Sequence, residues 1–410
     1  MNEPTGSSVT LGFVTSQTGA RASEGYQAQA GFELAVDDLN GSGGDGMLAT
    51  FSSRALDGRG LLGKRINWVS ADDQSRIDDA RAGARRLIEW DGAIALFGNV
   101  TTSSAAAVQG ICAEVGVSYF PGAIHGQRFT DDFAFRFSAT GGLATRAVVQ
   151  HAGQSISSRP RVAILASQFP DSQYFAEEAE AAGSSLGWDF LSRHDFPAGT
   201  SDIASQLSRL RNDDPDIVLA CGQGYDLVNQ LQTLANLGIT ENLRVVTPFL
   251  ENLVLLGAGQ AAAGVIGALD WSPNSDASGS GVFVRSFGNR YGYLPTNIAH
   301  TAYCQTILYA DAVARAGSFD PHAVREALEG FEFDGLGVGA SYMPPDNHEL
   351  RKSLLIGTAS GEREGDIAAV DIDDICPMCG TNSPESCSQN ACRQGYCCED
   401  GTCKRQPCDG

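Results

Sequence analysis

Long apolar runs are missing from this chain. No stretch approaches the ~18–20 residues that a membrane-crossing helix needs, so no direct membrane insertion is expected. Lysine is almost missing too, with only Lys64, Lys352 and Lys404, and no strand runs into a Gly-Lys-Ser/Thr phosphate loop. The first candidate strand continues into TSQTGARASEG rather than Gly-x-Gly-x-x-Gly, which removes the dinucleotide fingerprint. No strand leads into a Gly-x-Ser-x-Gly elbow, and there is no His-Glu-x-x-His. The six histidines (His125, His151, His194, His300, His322, His348) are scattered, and the acid pairs Asp37-Asp38 and Asp72-Asp73 read as solvated surface. The chain is therefore not read as an enzyme, and neither cofactor nor metal is expected in its body. Positive charge is also short: the net charge of −21 repels nucleic acid and anionic membrane surfaces. The negative charge is spread along the chain, as solubility requires.

What is present begins with size. A chain of 410 residues suggests two or three domains, and a hydrophobic fraction of 42% supports real cores. The start, Met1 to Ser8, is polar and has no signal-peptide core. It fits a trimmed exported form or a cytoplasmic protein equally. Cysteine speaks for export. Of eleven, eight lie between Cys376 and Cys408, in CPMCGTNSPESCSQNACRQGYCCEDGTC and the residues after it. The even count, the Cys397-Cys398 pair and the small polar filler fit a disulfide-stapled module, because so short a segment cannot bury enough apolar surface to fold unaided. Zinc is the rival, since Cys376-x-x-Cys379 has knuckle spacing, but the tail has no histidine and no second Cys-x-x-Cys. Cys112, Cys221 and Cys304 sit singly among apolar residues and read as buried thiols.

The body alternates strand and helix. Strands are expected at Val9–Val14, Ile66–Ser70, Ala93–Phe97 and Val117–Phe120, with helices at Tyr26–Leu39, Ser75–Trp90 and Ser104–Val115; Phe133–Phe137 is a further extended piece. The pattern restarts with strands at Val162–Leu165, Trp188–His194 and Ile217–Ala220, helices at Ser172–Ser185, Ser201–Arg211 and Tyr225–Leu237, and an extended Val245–Pro248. Helices at Val282–Tyr291, Thr296–Ala316 and Pro321–Glu329 follow, then short strands in Phe331–Tyr342 and a last strand at Leu354–Thr358; Gly361–Gly365 reads as a linker. Repeated βα units imply parallel sheets wrapped by helices, and two series imply two similar α/β lobes.

In open parallel sheets, ligands sit beyond the carboxyl ends of the strands. The cleft between two such lobes is the expected site, faced by Thr15–Ala22, Asn99–Ser104, Gly122–His125, Ser167–Tyr174 and Cys221–Tyr225. AIALFGNVTTSS (Ala93 to Ser104) is the most telling stretch: a buried strand, a Gly-Asn turn, then Thr101, Thr102, Ser103 and Ser104 opening a helix. Unpaired N–H groups and hydroxyls at a helix start suit an anion, and without lysine the matched anion is a small carboxylate. The same hydroxyls also suit simple capping.

The stretches LGFVTSQTGARASEGYQAQAGFELAVDDLN, RINWVSADDQSRIDDARAGARRLI, LFGNVTTSSAAAVQGICAEVGVSYFPGA, PDIVLACGQGYDLVNQL and FDGLGVGASYMPPDNHE, in this order, resemble the type I periplasmic substrate-binding proteins of the branched-chain amino-acid (leucine/isoleucine/valine) group. The resemblance spans Val9 to about Thr358 and excludes the cysteine tail. It implies two Rossmann-like lobes joined by three hinge crossings, near Ser138–Thr140, Asp270–Pro273 and Gly335–Gly339. The lobes become 1–138 with 272–335 and 139–271 with 336–364, followed by a small cysteine-rich module at 365–410. It implies that Thr101, Thr102 and Ser103 hold a ligand carboxylate, that carbonyls of the Gly122–Ile124 loop, Gly122 and Ala123 among them, hold an ammonium together with an acid from the second lobe, Glu251, and that Tyr174, Gln223 and Tyr225 also contribute from that lobe. Relatives usually carry Thr or Ser where this chain has Ile124. Glu24 and His300 fall at positions able to tune ligand choice. The implied function is capture of a small amino acid or carboxylate, in the periplasm or outside the cell, for a membrane permease of the ABC type. A sensor domain, or an interaction protein acting through the tail, are the alternatives.

Overall fold

The structure is a computed structural model that describes residues 6–41, 46–53, 55–122, 124–126, 131–154, 159–239, 243–361, 364–370, 396–399 and 402–405. Ala123 and every tail cysteine except Cys397, Cys398 and Cys403 lie outside the described residues. The chain divides into unit 1, Met1–Ala139 with Trp271–Ser353, and unit 2, Thr140–Asp270 with Leu354–Gly410.

Unit 1 opens as β1 (Ser8–Thr15), α1 (Ala22–Leu39), β2 (Arg65–Asp72), α2 (Ile77–Glu89), β3 (Ala95–Gly98), α3 (Thr102–Val115) and β4 (Ser118–Pro121). The strands form one parallel sheet in the order β2-β1-β3-β4. β3 and β4 are buried throughout, as strands covered on both faces are, whereas the edge strand β2 is buried only at Ile66 and Ala71. The pleat still sorts their side chains. Phe13 and Phe97 point one way and join Phe32, Phe120, Phe135 and Tyr309 in a chain of ring contacts 4.6–5.6 Å between centroids. Val14 and Leu96 point the other way, onto Ala80, Ala84 and Leu87 of α2 and Val108 and Ile111 of α3.

Unit 2 carries α4 (Gly141–Gln154), β5 (Arg161–Ser167), α5 (Pro170–Ser185), β6 (Asp189–Phe196), α6 (Ala204–Asp213), β7 (Ile217–Cys221), α7 (Gly224–Asn236), β8 (Arg244–Phe249), α8 (Asn252–Ala258) and β9 (Ile266–Leu269). Unit 1 then resumes with α9 (Ser280–Tyr291), α10 (Asn297–Ala316), α11 (Pro321–Leu328) and the two-residue strands β10 (Glu332–Phe333) and β11 (Ser341–Tyr342). The chain returns to unit 2 with β12 (Leu354–Ala359) and β13 (Glu364–Val370). Its sheet runs β13-β12-β9-β8-β7-β5-β6, parallel from β9 to β6 and antiparallel where β12 and β13 join. In the tail, β14 (Tyr396–Glu399) and β15 (Thr402–Arg405) pair as an antiparallel ladder.

Several expectations shift. The sequence pattern offered no helix at α4 or α8, because α4 starts on two glycines and α8 has only seven residues. Residues 364–370 extend the unit 2 sheet rather than forming a linker and the start of a tail module. Residues 336–353, placed with the second lobe from the sequence, group with unit 1, because the Arg136 strand segment pairs there: Arg136 N–H donates to His348 O at 2.8 Å, and Leu350 N–H to Arg136 O at 2.8 Å.

The long helix α10 is buried along nearly its whole length and packs on α1 so closely that a Cβ on Gly31 would stand 1.9 Å from the Ala299 carbonyl oxygen. That contact encloses Asp38, read from the sequence as solvated but only 3% exposed. Tyr303 Oη donates to Asp38 Oδ2 at 2.5 Å. Burial pushes the Asp38 carboxyl up to about 6, against the opposing pull of the Tyr303 hydrogen bond. A raised pKa means that its stability is complete below the unfolded value near 4 and is lost as pH rises through about 6, a change of about 3 kcal/mol at ~1.4 kcal/mol per unit. Asp38→Asn keeps the acceptor for Tyr303 and removes the titration. Urea denaturation midpoints between pH 4 and pH 8 should therefore fall less steeply with pH in the variant than in the wild type.

Candidate functional site

The carboxyl ends of the unit 1 strands bring Thr15, Asp72, Gly98 and Pro121 to one edge of the sheet. Just beyond them lies a polar cluster. Asp73 is fully buried, not solvated, and its carboxylate accepts from Ser16 Oγ at 2.6 Å, Ser75 N–H at 2.9 Å and Asn99 Nδ2 at 2.9 Å. Asn99 Oδ1 in turn accepts from Tyr119 Oη at 2.7 Å. Both oxygens of the buried Asp73 carboxylate thus find donors, as burial demands. Beside it, burial raises the Asp72 carboxyl, but bonds from Thr18, Gln74 and Gln17 outweigh that and hold it below the usual carboxylate range.

Asn99 holds the turn in place. Its φ of 69° is left-handed, a conformation that Asn tolerates better than other side-chain-bearing residues. Gly98 precedes it with φ 106°, where a Cβ would lie 2.2 Å from the Val14 carbonyl oxygen. Gly122, on the next loop, comes so near that a Cβ would stand 2.2 Å from Asn99 O. The loops after β3 and β4 are thereby pressed together, and Gly122 N–H donates to Gly98 O at 2.7 Å.

The chain then enters α3 two residues earlier than the sequence pattern suggested, because Thr101 is its cap: the Thr101 hydroxyl oxygen accepts from Ser104 N–H at 3.3 Å. Thr102 and Ser103 form the first turn, half-buried and exposed respectively. Thr102 Oγ1 accepts from Gly126 N–H at 3.1 Å, which ties the two loops again. Ser104 Oγ is buried and meets no partner among the described residues. Capping and a donor-rich first turn therefore coexist: Thr101 caps, while the early N–H groups of α3 carry the positive end of the helix dipole.

The unit 2 residues lie at the corresponding edge of their own sheet. Tyr174 sits in the first turns of α5, half-buried, with its hydroxyl 2.3 Å from where a Gly142 Cβ would be. Gln223 is the cap residue of α7, without a side-chain capping bond, and Tyr225, two residues on in the first turn, is 60% exposed. Glu251 precedes α8 and is half-buried. Of the two tuning positions, Glu24 is paired with Arg21 at 3.0 Å. His300 is core: it stacks on Trp271 at 4.4 Å, and its Nε2 lies 2.8 Å from Leu336 O. Cys112, Cys221 and Cys304 are buried, and burial pushes all three thiols up, Cys221 to about 12. Among the described residues no three or more His, Cys, Asp or Glu side chains converge as metal ligands, and no helix is long and apolar enough to cross a membrane.

Residues 8–363 match the family model described as periplasmic binding protein. The chain belongs to the periplasmic binding protein family. The family is one of solute binders rather than enzymes, and its name places its members outside the cytoplasm. An amino acid binding protein of Pseudomonas aeruginosa is 25% identical over 329 residues, 78% of this chain and 82% of that protein. A solute-binding protein of an ABC transporter from Rhodopseudomonas palustris, solved with 3,4-dihydroxybenzoic acid, superposes with a TM-score of 0.75 at 19% identity, covering 93% of this chain and 100% of that one. A branched-chain amino acid transporter substrate-binding protein from Streptococcus pneumoniae, solved with isoleucine, gives 0.77 at 18% identity, covering 89% and 99%.

The cluster around Asp73 was missed by sequence reading. Its signal was the Gly-Asn turn facing an Asp-Asp pair, which separates two acids with opposite fates. Replacing Asn99 tests the turn. Asn99→Ala removes two buried hydrogen bonds and leaves left-handed strain, and should cost about 2–4 kcal/mol in urea denaturation. Asn99→Gly loses the same bonds without that strain and should be less damaging by about 1 kcal/mol.

Proposed function

We propose that this protein is the extracytoplasmic solute-binding component of an ABC-type uptake system and captures a small carboxylate-bearing ligand. The observation that carries this reading is the first turn of α3. Thr101 and Thr102 are locked by Ser104 N–H and Gly126 N–H, so the hydroxyls and helix N–H groups are arranged before any ligand arrives. Preorganised donors of that kind favour a compact anion. The absence of lysine from the loop selects a carboxylate over a phosphate.

Thr101, Thr102, Ser103 and Gly122 are the proposed unit 1 contacts, with Ala123 on the same loop. Tyr174, Gln223, Tyr225 and Glu251 are the proposed unit 2 contacts. The relatives solved with isoleucine and with 3,4-dihydroxybenzoic acid share a carboxylate between otherwise different ligands, which supports a common anion grip. Ligand that binds one conformation better than another shifts the population toward it, and a membrane permease reading that conformation is the proposed partner. The eight tail cysteines are proposed to pair as disulfides, as an oxidising compartment favours.

A thermal-shift screen against amino acids and short carboxylates tests the reading. A ligand at ~100 times its dissociation constant adds about 2.7 kcal/mol of stability. With the best ligand, Thr102→Ala should weaken binding by about 1–3 kcal/mol in calorimetric titration, the usual loss when a charged group forfeits a hydrogen bond. Unchanged affinity would remove the carboxylate from this turn.

A further inference from the structure

Strand order fixes where unit 1 can hold a ligand. Its sheet runs β2-β1-β3-β4, and the helices that follow β1 and β3 leave for opposite faces. Phe32 of α1 meets Phe13 and Phe97 at 4.6 and 5.4 Å between centroids, whereas α3 packs with Val14 and Leu96. That reversal opens a crevice between the loops after β1 and β3, the place where open α/β sheets take their ligands. One wall is the first turn of α3. The other is the loop after β1 with the first turn of α1, pressed onto the strand end so closely that a Cβ on Gly25 would stand 1.8 Å from Ser16 O.

This second wall is charged. Arg21, the cap residue of α1, and Glu24, in its first turn, form an ion pair at 3.0 Å, with side chains 20% and 12% exposed. Arg21 N–H donates to Ser75 Oγ at 3.1 Å, and Ser75 Oγ donates to Ser16 Oγ at 3.1 Å, which ties this helix start to the Asp73 cluster. The Glu24 carboxylate accepts from Arg21 Nη1 at 3.0 Å and from Ser23 Oγ at 2.6 Å. An ionised carboxylate offers about four acceptor positions, so Glu24 can take a further donor. Each wall also holds a buried hydroxyl that meets no partner among the described residues: Ser104 Oγ in α3, and Thr15 Oγ1 at the end of β1, 3.2 Å from where a Gly25 Cβ would be.

From this arrangement we infer that the ligand is a carboxylate whose far end carries a hydrogen-bond donor, a hydroxyl or a primary amide, and that Glu24 receives it. The inference rests on the carboxylate reading of the α3 turn and narrows its substrate class. An apolar group laid against a half-buried ion pair takes water from two charges and replaces none of its hydrogen bonds. A donor in the same position bonds to a charged acceptor, which is stronger than a bond between neutral groups.

Calorimetric titration of the full chain with matched probes tests it: asparagine against leucine, and 4-hydroxybenzoate against 4-methylbenzoate. The members of each pair share a head group and a size, so their difference reads the far end alone. In whichever pair binds, the polar member should be held at least about tenfold more tightly, the scale of one hydrogen bond to a charged group. A smaller or reversed difference in a pair that binds overturns the inference and leaves a carboxylate site standing. Failure of all four probes to bind overturns the carboxylate reading and the inference with it. Two variants check the cause. Glu24→Ala removes the acceptor, and Arg21→Met with Glu24→Leu removes both charges together, so that neither is left unpaired. Each should narrow the gap within a pair several-fold by weakening the polar member more than the apolar one. A gap unchanged in either variant, shown to be folded by its urea denaturation, overturns the assignment to Glu24.

Discussion

A carboxyl group taken out of water at the end of a sheet must be met by donors, and in unit 1 that requirement organises the turn that leads into α3. Asp73 is reached by Ser16 from the end of β1, by Ser75 from its own loop and by Asn99 from the end of β3. To bring Nδ2 onto Asp73, Asn99 adopts a left-handed backbone, and that backbone turns the chain into α3. The first turn of α3 is thus aimed by a buried acid. Tyr119, donating to Asn99 Oδ1, closes the arrangement from the neighbouring strand β4.

The second loop is built on the same logic with the signs reversed. There the backbone supplies carbonyls, and a buried arginine and a serine supply the donors. Gly122 allows this loop to lie against Asn99, and Thr102 fastens the two loops through Gly126. One loop thereby presents N–H and hydroxyl groups, while in the other a buried arginine and a serine converge on the Ile124 carbonyl.

Much of this was legible in the residues. The βα alternation, the helical spacing in α2 and the apolar character of the doubly covered strands all survive in the structure, because local pattern and packing agree there. So does the hydroxyl-rich start of α3, although the helix begins at Thr102 because Thr101 is spent as its cap. The failures have physical causes. Two glycines hid α4, and shortness hid α8. Asp38 and Asp73 looked like surface acids because each has an acidic neighbour in sequence. In space their neighbours are Tyr303 for one and Ser16 with Asn99 for the other.

The sequence by itself determined the α/β class, the family and the hydroxyl-rich start of α3, since each is written in short stretches of local pattern. Tertiary structure alone decided which acids are buried, which unit takes residues 336–353, and which side chains meet the carbonyls of the loop after β4. Arg136 reaches Ile124 O across twelve positions and Glu349 across more than two hundred. Hydrogen-bond occupancy of that kind belongs to groups brought together only by folding, and no local pattern encodes it.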